Sequence, residues 1–96
     1  MKLQLDEVEL MGSWWLDGGV VRPDATCERI EELTSRYLQR LAVSPQYGEW
    51  ETLFRDPFDG RFWERTYPQG DMQGGGAPRL AVISCEEARL KYGWHA

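Results

Sequence analysis

Residues 50–67 read WETLFRDPFDGRFWERTY, a pattern that fits a β-hairpin and little else. Two aromatic-rich runs flank Pro57-Phe58-Asp59-Gly60. Pro57 pre-sets φ for the first turn position, and Gly60 accepts the left-handed one. With those four residues as the loop, Asp56 pairs with Arg61, Phe54 faces Trp63, Thr52 faces Arg65 and Trp50 faces Tyr67. Side chains alternate along a strand, so this register gathers Trp50, Phe54, Trp63 and Tyr67 on one face, read as the core face. Glu51, Leu53, Arg55, Phe62, Glu64 and Thr66 take the other. A one-residue slip would mix the two sets.

The rest of the chain supplies the elements around this hairpin. ELMGSWWL (residues 9–16) and GVVR (19–22) surround Asp17-Gly18-Gly19, whose glycines suit a two-residue hairpin turn. Asp24 offers an N-cap, and Cys27, Ile30, Leu33, Tyr37, Leu38 and Leu41 recur at helical spacing, which predicts a helix over 25–43 ended by Ser44-Pro45. Its opposite face, with Glu28, Glu31, Glu32, Arg36 and Arg40, reads as solvated. RLAVIS (79–84) reads as a strand apolar on both faces. Ser84 and Glu87 then form a capping box for a short helix that Gly93 closes. The implied order is ββ-α-ββ-β-α. The predicted fold class is α+β: a small antiparallel sheet with the long helix on one face and a short C-terminal helix.

Ninety-six residues with five Trp, four Tyr and three Phe suffice for one core, so a single domain over 1–96 is expected, with residues 1–9 loosely ordered. MKLQLDEVEL is acidic and lacks a long apolar run, so neither a secretory signal nor a membrane span is expected, and the cytoplasm is the expected compartment. Cys27 and Cys85 stand far apart without further Cys or His nearby, and read as two reduced, buried thiols. The net charge of −5 is uneven. Residues 1–25 carry five acids against Lys2 and Arg22, and residues 49–67 five against Arg55, Arg61 and Arg65. Such a surface repels nucleic acid and anionic membranes and attracts a basic partner.

Catalytic groups are scarce. His95, the only histidine, is the penultimate residue. Asp56 and Asp59 bracket a turn and read as turn-forming; Glu64 lies on the same hairpin. Gly74-Gly75-Gly76 lacks the GxxxxGK[ST] spacing of a phosphate loop and does not run from strand to helix. Asp6, Glu7, Glu9 and Asp17 lack calcium-loop spacing. No enzyme activity, cofactor or metal is expected. Trp14, Trp15, Trp50 and Trp63 read as core, except that neighbours Trp14 and Trp15 cannot face the same side of a regular strand.

With these residues laid out, the chain resembles the immunity protein 27 family of bacterial polymorphic toxin systems. The resemblance rests on Gly12, Trp14, Arg29-Ile30, Trp50, Asp56-Pro57, Asp59-Gly60-Arg61, Trp63-Glu64, Tyr67-Pro68-Gln69, Gly74-Gly75-Gly76, Pro78, Leu80, Ile83-Ser84 and Tyr92. Ala77 departs from it, standing where a second proline is expected.

The resemblance implies a bacterial cytoplasmic protein, monomeric when free, that binds and neutralises the toxic domain of a cognate secreted toxin through a tight non-covalent interface. A basic toxin domain, such as a nuclease, fits the charge. The expected contact residues are Asp56, Asp59, Glu64, Asp71 and Met72, with Glu49 and Glu51 at the rim. Two other readings stay open: an acidic interaction or adaptor domain without a toxin partner, and a small enzyme built on Asp56, Glu64 and the glycine loop.

Overall fold

The computed structural model describes residues 2–68 and 76–94. In chain order the elements are β1 (Glu9–Met11), β2 (Trp14–Asp17), β3 (Val20–Pro23), α1 (Ala25–Glu32), a π-helical turn (Leu33–Tyr37), β4 (Gln39–Ser44), β5 (Gly48–Arg55), β6 (Phe62–Thr66), β7 (Arg79–Ile83) and α2 (Cys85–Tyr92). Five strands form one antiparallel sheet in the order β1-β7-β6-β5-β4, and β2–β3 stand apart as a two-stranded ribbon. The class is α+β, as expected.

The central hairpin has the register read from the sequence. Thr52 pairs with Arg65 and Phe54 with Trp63. The Asp56 N–H donates to the Arg61 carbonyl at 2.9 Å and the Gly60 N–H to the Asp56 carbonyl at 2.8 Å. Gly60 has φ +78°, a conformation that strains any residue with a Cβ. The first hairpin closes through Gly18 and Gly19, between paired Asp17 and Val20. Both predicted caps form: Asp24 accepts from the Cys27 N–H at 2.8 Å, and Ser84 with Glu87 makes the reciprocal box that Gly93 ends.

The helix expected over 25–43 is a correction. It stops at Glu32 and passes through the π turn, whose wide ring is closed by Leu38 N–H to the Leu33 carbonyl at 2.8 Å. The hydroxyls of Thr34 and Ser35 bond back to the Ile30 and Glu31 carbonyls, a competition that weakens helix ends. Residues 39–44 pair with β5 instead. Arg40 lies opposite Phe54 and Ala42 opposite Leu53, so Leu41 is the extra residue of a bulge. The bulge breaks the two-residue alternation, leaving Leu38 and Leu41 at a helix-like spacing. The strand expected over 10–16 is likewise two strands, split at Gly12. A Cβ there would come within 2.6 Å of Cys27 Sγ and 2.9 Å of the Pro78 carbonyl, so only glycine lets the chain pass.

Helices cover both sheet faces. Leu3, Leu10, Ile30, Leu33, Leu38, Phe54, Trp63 and Leu80 form the core under α1. Leu53, Ile83, Ala88 and Tyr92, joined by Leu41, Phe62 and Trp94, form a second core under α2. The hairpin face with Glu51, Leu53, Phe62 and Glu64 is therefore packed as well. Trp50 is 54% exposed and Trp15 50%, so neither belongs to the core; Trp63 does. Cys27 is buried but Cys85 is exposed, a further correction.

The opening residues are held by two arginines. Arg61 donates to the Glu7 and Gln4 carbonyls at 2.6 and 3.0 Å, and Arg29 grips the Glu7 carboxylate through both terminal nitrogens at 2.6 and 2.7 Å. The Arg29 hydrogen bonds lower the Glu7 pKa from 4.5 to about 2 against the opposing effect of burial. A depressed folded pKa stabilises the protein above the unfolded value, and that contribution disappears as pH falls from 4.5 toward about 2. Since Arg29 is 38% exposed, solvent screening limits the pair to about 1–2 kcal/mol. Glu7→Gln is expected to lower stability by that amount at pH 7, with the gap to wild type closing in acid. Urea unfolding across that pH range checks it.

Candidate partner-binding surface

Strand alternation puts Trp50, Thr52 and Phe54 on the α1 side of β5, facing Trp63, Arg65 and Tyr67 beyond β6. Eight residues of α1 rise only about 12 Å. They pack over Phe54 and Trp63 and leave the Trp50–Tyr67 end open. There the two rings meet edge to face, centroids 5.2 Å apart, the favourable geometry for an aromatic pair.

Tyr67 is the hub of three adjoining grooves. One, of about 590 Å³, has an apolar floor of Trp14, Pro23, Cys27, Tyr67 and Pro78, and an acidic wall of Glu28, Glu31 and Glu32. A second, of about 540 Å³, runs between Tyr47, Trp50, Glu51, Tyr67 and Pro68. A third, of about 300 Å³, lies between Glu49, Trp50, Arg65 and Tyr67. The first continues onto the ribbon, where Leu16 and Val21 pair on the same face as Trp14 and Pro23 and are 71% and 54% exposed. An acid-rimmed aromatic surface results. Its acids and its apolar rings lie side by side on one open face of the described residues.

The acids singled out by sequence divide sharply. Glu49 is exposed on the groove rim and paired with Arg40 at 2.9 Å; that hydrogen bond and charge hold its carboxyl below the usual range. Glu51 lines the second groove and pairs with Lys91 at 2.9 Å. Glu64 lies on the α2 face, bound by Lys91 and by the Tyr92 hydroxyl at 2.7 Å. Burial, then Glu64, drives the Tyr92 pKa well above the phenol range. Burial would lower Lys91, but its two carboxylate partners raise it.

Asp59 is tied to the backbone N–H and guanidinium of Arg61 at 3.0 and 2.7 Å, which lower its pKa against burial. Asp56 is fully buried, accepting from Phe58 N–H and the Tyr37 hydroxyl, both at 2.8 Å. It presents nothing to a partner. Asp71, Met72, His95 and two of the three glycines lie outside the described residues.

Sequence reasoning missed Trp14, Tyr47, Tyr67 and the three glutamates of α1 as one surface. The available signal was Glu28-x-x-Glu31-Glu32, acids one turn apart on a helix face. Among the described residues no cluster of three or more His, Cys, Asp or Glu could hold a metal, and no helix is long and apolar enough to cross a membrane.

The family model described as Immunity protein 27 matches residues 16–84. The chain belongs to the immunity protein 27 family. Comparison with curated proteins and with solved structures finds no match. The stretch matched by the family model takes in Glu28, Glu31, Glu32, Glu49, Trp50, Arg65 and Tyr67, and leaves Trp14 outside it.

Proposed function

We propose that this member of the immunity protein 27 family binds the toxic domain of a cognate secreted bacterial toxin in the cytoplasm and neutralises it by occlusion, without turnover. The observation that carries the reading, beside the family, is the exposed Trp50–Tyr67 pair set among acid-rimmed grooves. Exposed aromatic anchors in pockets supply most of the energy of a tight interface. Glu28, Glu31, Glu32 and Glu49 around them raise the encounter rate with a basic domain. Of the acids proposed from sequence, Glu49 and Glu51 sit at this surface; Asp59 and Glu64 are engaged within the fold.

Co-expression with the toxin domain encoded beside this gene tests the reading: rescued cells and a co-purified complex are expected. Dying cells and no complex would refute it. Trp50→Ala is expected to weaken the complex by about 2 kcal/mol, roughly thirtyfold, and to cost the free protein only about 1 kcal/mol, the loss of its edge-to-face contact with Tyr67, because half its ring is already in water. Calorimetry on both proteins checks it. Affinity should also fall as salt rises.

A further inference from the structure

Four arginines are half-buried among the described residues, and three hold a carboxylate: Arg29 with Glu7, Arg61 with Asp59 and Arg79 with Glu9. Arg65 holds none. Its terminal nitrogens reach only the hydroxyls of Thr34 at 3.3 Å and Thr52 at 3.5 Å, and its Nε is buried without an acceptor. A guanidinium has five N–H donors, so most of its hydrogen-bonding capacity is unused. The rings of Phe54 and Tyr67 lie 5.5 and 5.9 Å from it, which offsets part of the lost hydration but supplies no counter-charge. Arg65 lines the 300 Å³ groove with Glu49, Trp50 and Tyr67. Glu49 pairs with Arg40 and also feels the Arg65 charge, so among the described residues two guanidinium groups around the groove share one carboxylate.

We propose that the groove at Arg65 is a carboxylate-receiving site, filled in the complex by an Asp or Glu side chain of the toxin domain that enters beside the Trp50–Tyr67 pair. The identity of the partner rests on the immunity reading; the pocket does not. A planar carboxylate fits the guanidinium fork, and the aromatic walls exclude water and strengthen the pair. The basic surface of the partner would meet the acidic rim while one buried acid fixes the register, so a basic domain lacking that acid would bind less well.

Two measurements decide it. The isotope-labelled free protein is titrated with sodium acetate against sodium chloride at equal ionic strength, following the Arg65 Nε–H and Trp50 indole signals. Saturable shifts confined to those two signals, with a Kd on the order of 10–100 mM, are expected, and Arg65→Gln should abolish them. Shifts that never saturate, or that appear equally at the exposed Arg36, Arg55 and Arg89, would overturn the site. This arm uses no toxin and reads the wild-type chain directly, so neither a failed toxin assignment nor an unstable variant obscures it.

In the complex, Arg65→Gln should weaken binding about 10- to 100-fold, with a matching loss when one toxin Asp or Glu is changed and no further loss in the double variant. Additive losses, or an unchanged affinity, would remove the toxin carboxylate as the occupant.

Discussion

Trp63→Ala is expected to lower stability by about 3–5 kcal/mol, a large part of what a domain this size possesses. The ring is wholly buried in β6, the middle strand of the sheet, opposite Phe54 on one side and Val82 on the other. It is among the largest fully buried side chains and joins the α1 core to the sheet. Its removal opens a cavity between strands that hydrogen bonding holds apart, so little collapse can follow. Arg61, stacked 5.0 Å from the ring, would also lose its platform while still holding the Glu7 and Gln4 carbonyls.

Trp63→Phe makes the contrast. The indole Nε1 is buried without an acceptor, and an orphaned donor of that kind carries a penalty of about 1–3 kcal/mol. Phenylalanine removes the donor together with some apolar area, so a net change within about 1.5 kcal/mol of wild type is expected. Urea unfolding of both variants tests the pair. If the two are equally damaging, an aromatic ring at this position restores nothing that alanine removes, and the packing account is wrong.

The turn and register of the central hairpin could be read from the sequence because their signals are local, while the exposure of Trp50 could not. Pro57 and Gly60 fix the turn, and aromatic alternation fixes the register. Helix caps are local for the same reason. What the sequence hid depends on distant partners. Residues 39–44 look helical in isolation, and become a strand because β5 has an edge to fill and a bulge absorbs Leu41. The α2 face of β5 and β6 carries most of the hairpin's charges in the sequence, where Glu51 and Glu64 mask Leu53 and Phe62. Only α2, folding back with Lys91 and Tyr92, shows that those acids are paired across a second core.

The same difference runs through the recognisable motif. Gly12 permits a close approach of two chain segments, Arg29 and Arg61 clamp the opening residues, Asp56 and Gly60 shape the turn, and Trp63 fills the core. These motif residues build the fold, whereas Trp14, Trp50 and Tyr67, which carry the resemblance as well, are the part of the motif that reaches the open surface. The surface proposed for contact collects Trp14, Glu28, Trp50 and Tyr67 from four places in the chain. No sequence spacing joins them, since the shortness of α1 and the position of the ribbon bring them together.

Asp56 distinguishes these two roles experimentally, and Asp56→Ala is the second large expected effect: a loss of about 2–4 kcal/mol in the free protein. Its Oδ1 accepts from the Phe58 N–H within the turn and from the Tyr37 hydroxyl at the end of the π turn. One oxygen thus ties the hairpin loop to the point where the helix gives way to β4. Burial, with Asp56 second, raises the Tyr37 pKa to about 12, so the phenol stays a donor throughout the neutral range. Alanine would strand both donors in a site with no exposure. Asp56→Asn keeps an acceptor in place and should lose less than alanine, while Tyr37→Phe should lose only about 1 kcal/mol. Toxin affinity, measured on whatever fraction of Asp56→Asn remains folded, should match wild type, since no atom of Asp56 reaches the surface. A folded Asp56→Asn protein that binds tenfold worse would instead return Asp56 to the contact surface.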